Sequence, residues 1–206
     1  YYFKKTGMDE DFKNSIHKIH EQVILGSQLV RNVKIISKFD LGPVKIKKID
    51  LRELLSEVLD EVKSTFCAHD LLIQEEYPPA ECIVNAPTGL KDAFKNLLIN
   101  SIIHNESTTI KVCIQITRER EREEMESGRI NVAIIDNGVG IPDAIKIEVL
   151  ERTRNGEVGG RATGMGLFLV ARVISTAGGT IQIENRVKQQ HEAGTRIIIT
   201  LPGVGK

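Results

Sequence analysis

Between Asp9 and Phe39 no proline interrupts the chain, and Phe12, Ile16, Ile19, Val23, Gly26, Val30 and Val33 recur at alternating steps of four and three. That spacing predicts one long helix with a single apolar seam, of the bundle or coiled-coil type. Gly42 and Pro43 break it within DLGPVKIKKID, so the helix has no core of its own and must pack on another helix, in this chain or a second one. Asp50 with Glu53 makes a capping-box pattern ahead of LRELLSEVLDEVKSTF, a second predicted helix. LLIQEEY and ECIVNA read as short strands around a turn at Pro78 and Pro79, and Pro87 opens a third helix, PTGLKDAFKNLLINSIIH.

From Thr108 to Thr117 the alternation TTIKVCIQIT predicts a strand that pairs with RINVAIID across the insert REREREEMESG. The insert mixes charges of both signs, which reads as a solvated hairpin loop, with a docking surface as the second reading. IIDNGVGIP, residues 134 to 142, carries the Asn-Gly pair typical of hairpins. No returning strand follows; DAIKIEVLER reads as a helix opened by Pro142, so the segment is strand, glycine loop, helix. NGEVGGRATGMG then enters an apolar helix, LFLVARVISTAG, and the strands TIQIENRV and GTRIIITLP close the chain about a polar turn. Helices and mostly antiparallel strands are intermixed without strict β-α alternation, which predicts an α+β two-layer sandwich with its helices on one sheet face.

With 206 residues, 41% of them hydrophobic, the chain can bury one full domain plus an appendage. Its 28 basic and 28 acidic side chains cancel, which removes any electrostatic reason to expect nucleic acid or an anionic membrane as the main partner. No apolar run approaches a membrane span, and no secretory signal opens the chain. Cys67, Cys82 and Cys113 lack CxxC spacing and sit among apolar neighbours, as buried free thiols in a reducing compartment would. The opening YYFKKTGMDE, without an initiator Met, reads as the start of a piece of a longer protein.

Three features carry chemistry. Asn96 and Asn100 lie one turn apart on the third helix, whose other side is Leu90, Phe94, Leu97 and Leu98. Two such amides are either plain surface residues or oxygen donors to Mg²⁺, a hard cation that takes few protein ligands when phosphates supply the rest. Asp136 at a strand end can accept a hydrogen bond from an exocyclic amine, while Gly140 lets a flat base approach the backbone. Gly164 and Gly166 open a helix, where free N–H groups favour phosphate, although a lone GxG is more often a cap. GK[ST] is absent and the glycine-rich turn follows no clean strand, which excludes a Walker loop and a dinucleotide fingerprint.

The order of these features resembles the ATP-binding catalytic domain of sensor histidine kinases, within the group that includes DNA gyrase and the heat-shock chaperone ATPase. NLLINSIIHN is similar to the N box of that family, DNGVGIP to its first glycine box, ATGMGLFLV to its second, and AGGTIQIENR with GTRIIITLP to its closing strands. The resemblance covers nearly the whole chain and implies a Bergerat-type fold preceded by part of a dimerisation hairpin: residues 1–42 as dimerisation helix and linker, 43–206 as catalytic domain. It also implies ATP and Mg²⁺ as cofactors. Asn100 becomes the Mg²⁺ ligand, with Asn96 supporting it near the phosphates. Asp136 takes the adenine amino group, and Gly138, Gly140 and Ile141 shape that pocket. His104, Arg161, Thr163, Gly164, Met165, Gly166 and Leu167 border the nucleotide, beneath a lid running from Arg154 to Thr163; Arg152 and Arg154 are further phosphate candidates.

Some positions depart from the family pattern. A phosphate-facing Lys common after the N box is Ile103 here, the phenylalanine pair before the lid is Leu150 and Thr153, and the first glycine of the second glycine box is Ala162. The glutamate that serves gyrase-like members and anti-sigma-factor serine kinases as general base is Asn96, which cannot take a proton. That substitution favours phosphoryl transfer to an imidazole over hydrolysis. His20-Glu21 imitates the acceptor pair but lies too near the catalytic domain, and the solvated flank of a helix explains it more simply, so the acceptor is expected upstream of Tyr1. His17 and His20 make a weak metal pair, and His104 is either a helix cap or a neighbour of the nucleotide.

The expectation is therefore a histidine kinase catalytic region: cytoplasmic or the cytoplasmic part of a larger sensor, homodimeric through its first helix, served by a response regulator receiver domain. The alternatives are a degenerate nucleotide-sensing module and an anti-sigma-factor-type serine kinase.

Overall fold

The computed structural model describes residues 10–40, 43–119, 128–147 and 164–204. The first helix, α1, spans Glu10–Asp40. Strand β1 follows at Ile46–Asp50, helix α2 at Leu51–Thr65, strand β2 at Leu71–Glu76, strand β3 at Ile83–Pro87 and helix α3 at Leu90–Ile103. Strands β4 (Ile110–Glu119) and β5 (Arg129–Asp136) form the expected antiparallel pair, with Val112 opposite Asp136. After a helical turn over residues 143–147, helix α4 spans Gly164–Thr176, and β6 (Thr180–Val187) and β7 (Gln190–Pro202) pair antiparallel.

The main sheet runs β2-β4-β5-β7-β6 and is antiparallel except for the parallel β2-β4 edge. On β4 and β5 the alternating residues Val112, Ile114, Ile116, Ile130, Val132 and Ile134 are buried against α2, α3 and α4. The opposite face carries Gln115, Thr117, Asn131, Gln182, Arg196 and Thr200. One apolar and one polar face follow from period-two side chains on a sheet covered on a single side, and the two-layer α+β sandwich is the observed fold.

Several elements depart from what their sequence pattern predicts. IKKID, taken as part of a helix break, is strand β1, and it pairs with β3 in a separate two-stranded sheet. The segments on either side of Pro78 and Pro79 are strands, but they join different sheets, β2 beside β4 and β3 beside β1. Pro87 ends β3 and does not open α3, whose N-cap is Gly89. Asp50 does cap α2, accepting from the Arg52 N–H at 2.9 Å. Cys67 is exposed, one residue beyond the Phe66 cap of α2, whereas Cys82 is buried and Cys113 half-buried. The charged insert over residues 120–127 lies outside the described residues.

Helix α1 has a second face that its sequence pattern did not mark. It packs on α4 and α3 of its own chain, and the face it uses carries Ile24, Ile35, Ile36 and Phe39. The predicted seam points elsewhere: Phe12, Ile19, Val23, Val30 and Val33 are all exposed. At about 100° per residue the two faces lie on opposite sides of the helix. Periodicity marks the stronger stripe, while the tertiary fold decides which of the two stripes meets the rest of the chain.

Candidate nucleotide site

Helix α3 is apolar around almost its whole circumference, so its polar residues are the informative ones. Asn96 is 3% exposed, which removes the reading of it as a plain surface residue, and Ser101 is buried as well. Asn100 is half-buried, and its amide has no hydrogen-bond partner among the described residues. His104 caps the helix through its backbone, its N–H donating to the Asn100 carbonyl at 3.1 Å, and its side chain is exposed. Ile103 packs against the core; a lysine at this position would have to leave that packing to reach a phosphate.

At the C-terminal end of β5 the Asp136 side chain is 8% exposed. Its Oδ1 accepts the Gly138 N–H at 2.9 Å and the Thr195 N–H at 3.2 Å. Its Oδ2 lies 3.3 Å from the Ser101 hydroxyl, which has a second acceptor 3.1 Å away in the Leu97 carbonyl. One hydroxyl proton serves both, so Asp136 keeps acceptor capacity for an incoming amine. Burial raises the Asp136 pKa above the ordinary carboxylate value, against the lowering effect of the Gly138 and Thr195 N–H groups and Ser101.

The loop after Asp136 is pinned rather than turned back as a hairpin. Asn137 accepts from the Lys111 N–H at 2.7 Å and from the Asn105 amide at 2.9 Å, and donates to the Thr109 carbonyl at 3.1 Å. Gly138 is buried beneath the α3 end, where an added Cβ would sit 2.9 Å from the His104 carbonyl oxygen. Gly140 has φ 71°, and a Cβ there would come within 1.6 Å of the His191 carbonyl oxygen, so close packing on β7 demands glycine. Ile141 is half-buried against the core. Just beyond, Lys146 is buried and donates to Asp143 at 2.7 Å and to Asn185, tying the following turn to β6.

Opposite α3 stands the N-terminal end of α4. A Cβ on Gly166 would sit 3.6 Å from Asn100 Nδ2 and 3.7 Å from Asn96 Oδ1, so the asparagine helix and the glycine-led helix face one another across a narrow gap. Leu167 turns into the core. Gly164 and Met165 begin α4, while Arg152, Arg154, Arg161, Thr163 and the lid lie outside the described residues. Ser101, Asn137 and Thr195 were missed in the sequence. Ser101 and Asn137 each adjoin a chosen residue, Asn100 and Asp136, and were the available signal; only the fold brings Thr195 to Asp136.

The donor set fits a nucleotide better than a bare metal. No group of three or more His, Cys, Asp or Glu side chains able to hold a metal occurs among the described residues. The Asn100 amide, without a hydrogen-bond partner among the described residues, the buried acceptor at Asp136 and the start of a helix together suit a cation brought in by phosphates.

The sandwich and this site define an ATP-binding domain, and the chain belongs to the histidine kinase-, DNA gyrase B- and HSP90-like ATPase family, whose profile matches residues 85–204. Among its relatives is the sensor-type histidine kinase PrrB of Mycobacterium tuberculosis, 28% identical over 156 residues, covering 75% of this chain and 32% of PrrB. The sensor histidine kinase AruS of Pseudomonas aeruginosa is 32% identical over 104 residues, 48% of this chain and 10% of AruS. The chain thus spans about a third or less of the length of these curated relatives. The solved ATP-binding domain of PrrB from M. tuberculosis superposes with a TM-score of 0.55 at 26% identity, covering 78% of this chain and 98% of that one. The mycobacterial sensor histidine kinase MprB shares the fold, with a TM-score of 0.62 at 22% identity over 79% of this chain and all of the other. No helix among the described residues is long and apolar enough to cross a membrane.

Proposed function

We propose that this chain is the catalytic region of a two-component sensor histidine kinase, which transfers the γ-phosphoryl group of ATP to a histidine on a dimeric helical hairpin. The observation that carries the reading is the alignment of Asp136, Ser101 and Asn100 along one end of α3, with the start of α4 opposite. Asp136 would hold the adenine amino group, with Gly138 and Thr195 fixing the carboxylate that receives it. Asn100 would hold Mg²⁺, and the opening turn of α4, with Gly164 and Gly166, would face the phosphates. When bound, Mg²⁺ would neutralise phosphate charge. Asn96 offers no carboxylate to deprotonate a water, which supports transfer to an imidazole, already a nucleophile, over hydrolysis.

Residues 1–42 are read as dimerisation helix and linker and residues 43–206 as the catalytic domain. The exposed seam of α1, from Phe12 to Val33, suits a second helix of the same kind. A response regulator receiver domain is the expected next phosphoryl acceptor, and the whole protein is expected to work in the cytoplasm or at its membrane face. Ile103, packed into the core where the family resemblance implies a phosphate-facing lysine, favours a second reading, a nucleotide-sensing module without transfer activity. Incubation with labelled ATP, Mg²⁺ and a histidine hairpin supplied in trans separates the two. Acid-labile, alkali-stable label on the hairpin supports the kinase; nucleotide binding without transfer supports the module.

A further inference from the structure

We propose that α1 is an inhibitory strap: held by Gln28 and Asn32 on Asn96, it closes the phosphate end of the nucleotide site, and Mg²⁺·ATP binds only when it leaves. The inference rests on the reading of the α3–α4 gap as the phosphate end of the site. Asn96 Oδ1 accepts from the Gln28 side-chain amide at 2.7 Å and from the Asn32 side-chain amide at 3.2 Å, and Asn96 Nδ2 donates back to Asn32 Oδ1 at 2.8 Å. Two lone pairs and one N–H of Asn96 are thereby committed, and Asn32 is 4% exposed.

The position of Asn32 matters as much as its bonds. Its Nδ2 lies 4.0 Å from the point where a Cβ of Gly166 would stand, beside Asn100 and Asn96. The strap therefore fills the gap between the asparagine helix and the start of α4, where a phosphate group would need to be.

The docking face has the composition of a latch rather than of a permanent core. Ile24, Ile35, Ile36 and Phe39 are only partly buried, and between them stand two amides at i and i+4. A purely structural contact would favour apolar residues there, because buried amides gain little net stability over water. Their use is to meet Asn96. A weak ion pair, Arg31 with Asp92 at 3.6 Å, and a contact between Glu21 and the His69 ring at 3.8 Å flank them. The seam on the far side stays exposed while α1 is docked, so a partner helix can hold α1 in either position.

A ligand that binds only the open state loses apparent affinity in proportion to the closed fraction. In the intact chain, Gln28→Ala with Asn32→Ala is expected to bind a fluorescent ATP analogue with Mg²⁺ roughly tenfold more tightly than wild type. Arg31→Glu, a surface change that repels Asp92 and leaves the buried amides untouched, is expected to tighten binding about two- to threefold. Hydrogen exchange across residues 24–36 of the wild type should quicken when nucleotide is added. Equal or weaker binding by both variants, or unchanged or slower exchange in α1, overturns the strap. Asp136→Asn in the same assay separates the two readings: if it abolishes binding in every background while the affinities of wild type and strap variants agree, the site stands and the strap falls. If it has no effect in any background, the site reading falls and the strap with it.

Discussion

The Thr195 N–H donates to Asp136 Oδ1 at 3.2 Å across 59 residues of sequence, tying the loop that leaves β5 to the strand that closes the sheet. Asp136 thereby has one oxygen fixed by backbone donors and one turned toward Ser101. Asp136→Ala should strand the Gly138 and Thr195 N–H groups and cost about 2–3 kcal/mol of stability. Asp136→Asn keeps an acceptor but presents an N–H₂ group too, so it should cost less stability and weaken nucleotide binding at least about tenfold. Chemical denaturation and titration with a fluorescent nucleotide read the two effects separately.

The raised pKa of Asp136, caused by burial, sets a pH dependence with two opposite signs. The carboxylate that receives an amine is lost as pH falls through this raised value, so binding should weaken at a higher pH than an ordinary Asp, near 3.8, would dictate. For folding the sign is reversed: the stabilising contribution of the protonated form is complete below the unfolded pKa and disappears as pH rises through the folded one. Binding titrations from neutral pH downward should show an acid limb that Asp136→Asn removes.

Gly194 has φ 117°, and a Cβ there would lie 2.0 Å from the Asp136 carbonyl oxygen. Gly194→Ala must move backbone on one side or the other. A loss of at least about 2–3 kcal/mol and a parallel fall in nucleotide affinity are expected, measured by thermal unfolding with and without ligand.

Lys95 and Lys91, bonding to Glu61, hold its pKa down to about 2 and fasten α2 to α3. The stabilisation is fully present above the unfolded value near 4.5 and is lost as pH falls toward 2. The cluster is largely open to solvent, which screens it, so Lys95→Met should cost only about 0.5–1 kcal/mol at neutral pH. Urea unfolding at a series of pH values should show a flatter acid limb in the variant.

Val23 and Val30 are 60% and 70% exposed on the free seam of α1. Val23→Glu with Val30→Glu should weaken self-association by about 2 kcal/mol or more, through lost apolar burial and like-charge repulsion. Nucleotide affinity of the monomer should change little. Sedimentation over a concentration series provides the check.

The chain by itself determined most of the elements. Alternation in TTIKVCIQIT and RINVAIID settled a strand pair because period-two burial leaves no other conformation for those residues, and Pro142 after DNGVGI excluded the hairpin. The order of asparagine helix, glycine loop and glycine-led helix marked the three elements that border the candidate site for the same reason: local backbone chemistry leaves its mark in neighbouring residues.

What spans long separations was decided only by the tertiary structure. Strands β2 and β3 look like partners in sequence, yet each finds its hydrogen bonds in a different sheet, because pairing depends on the neighbours that the fold supplies. Ser101 and Thr195 meet Asp136 from 35 and 59 residues away; Ser101 at least adjoins Asn100, but no local pattern marks Thr195. For α1, the heptad seam was visible and its packing against this domain was not: Gln28 and Asn32 are unremarkable polar residues until the buried Asn96 side chain, with no other hydrogen-bond partner among the described residues, comes within reach.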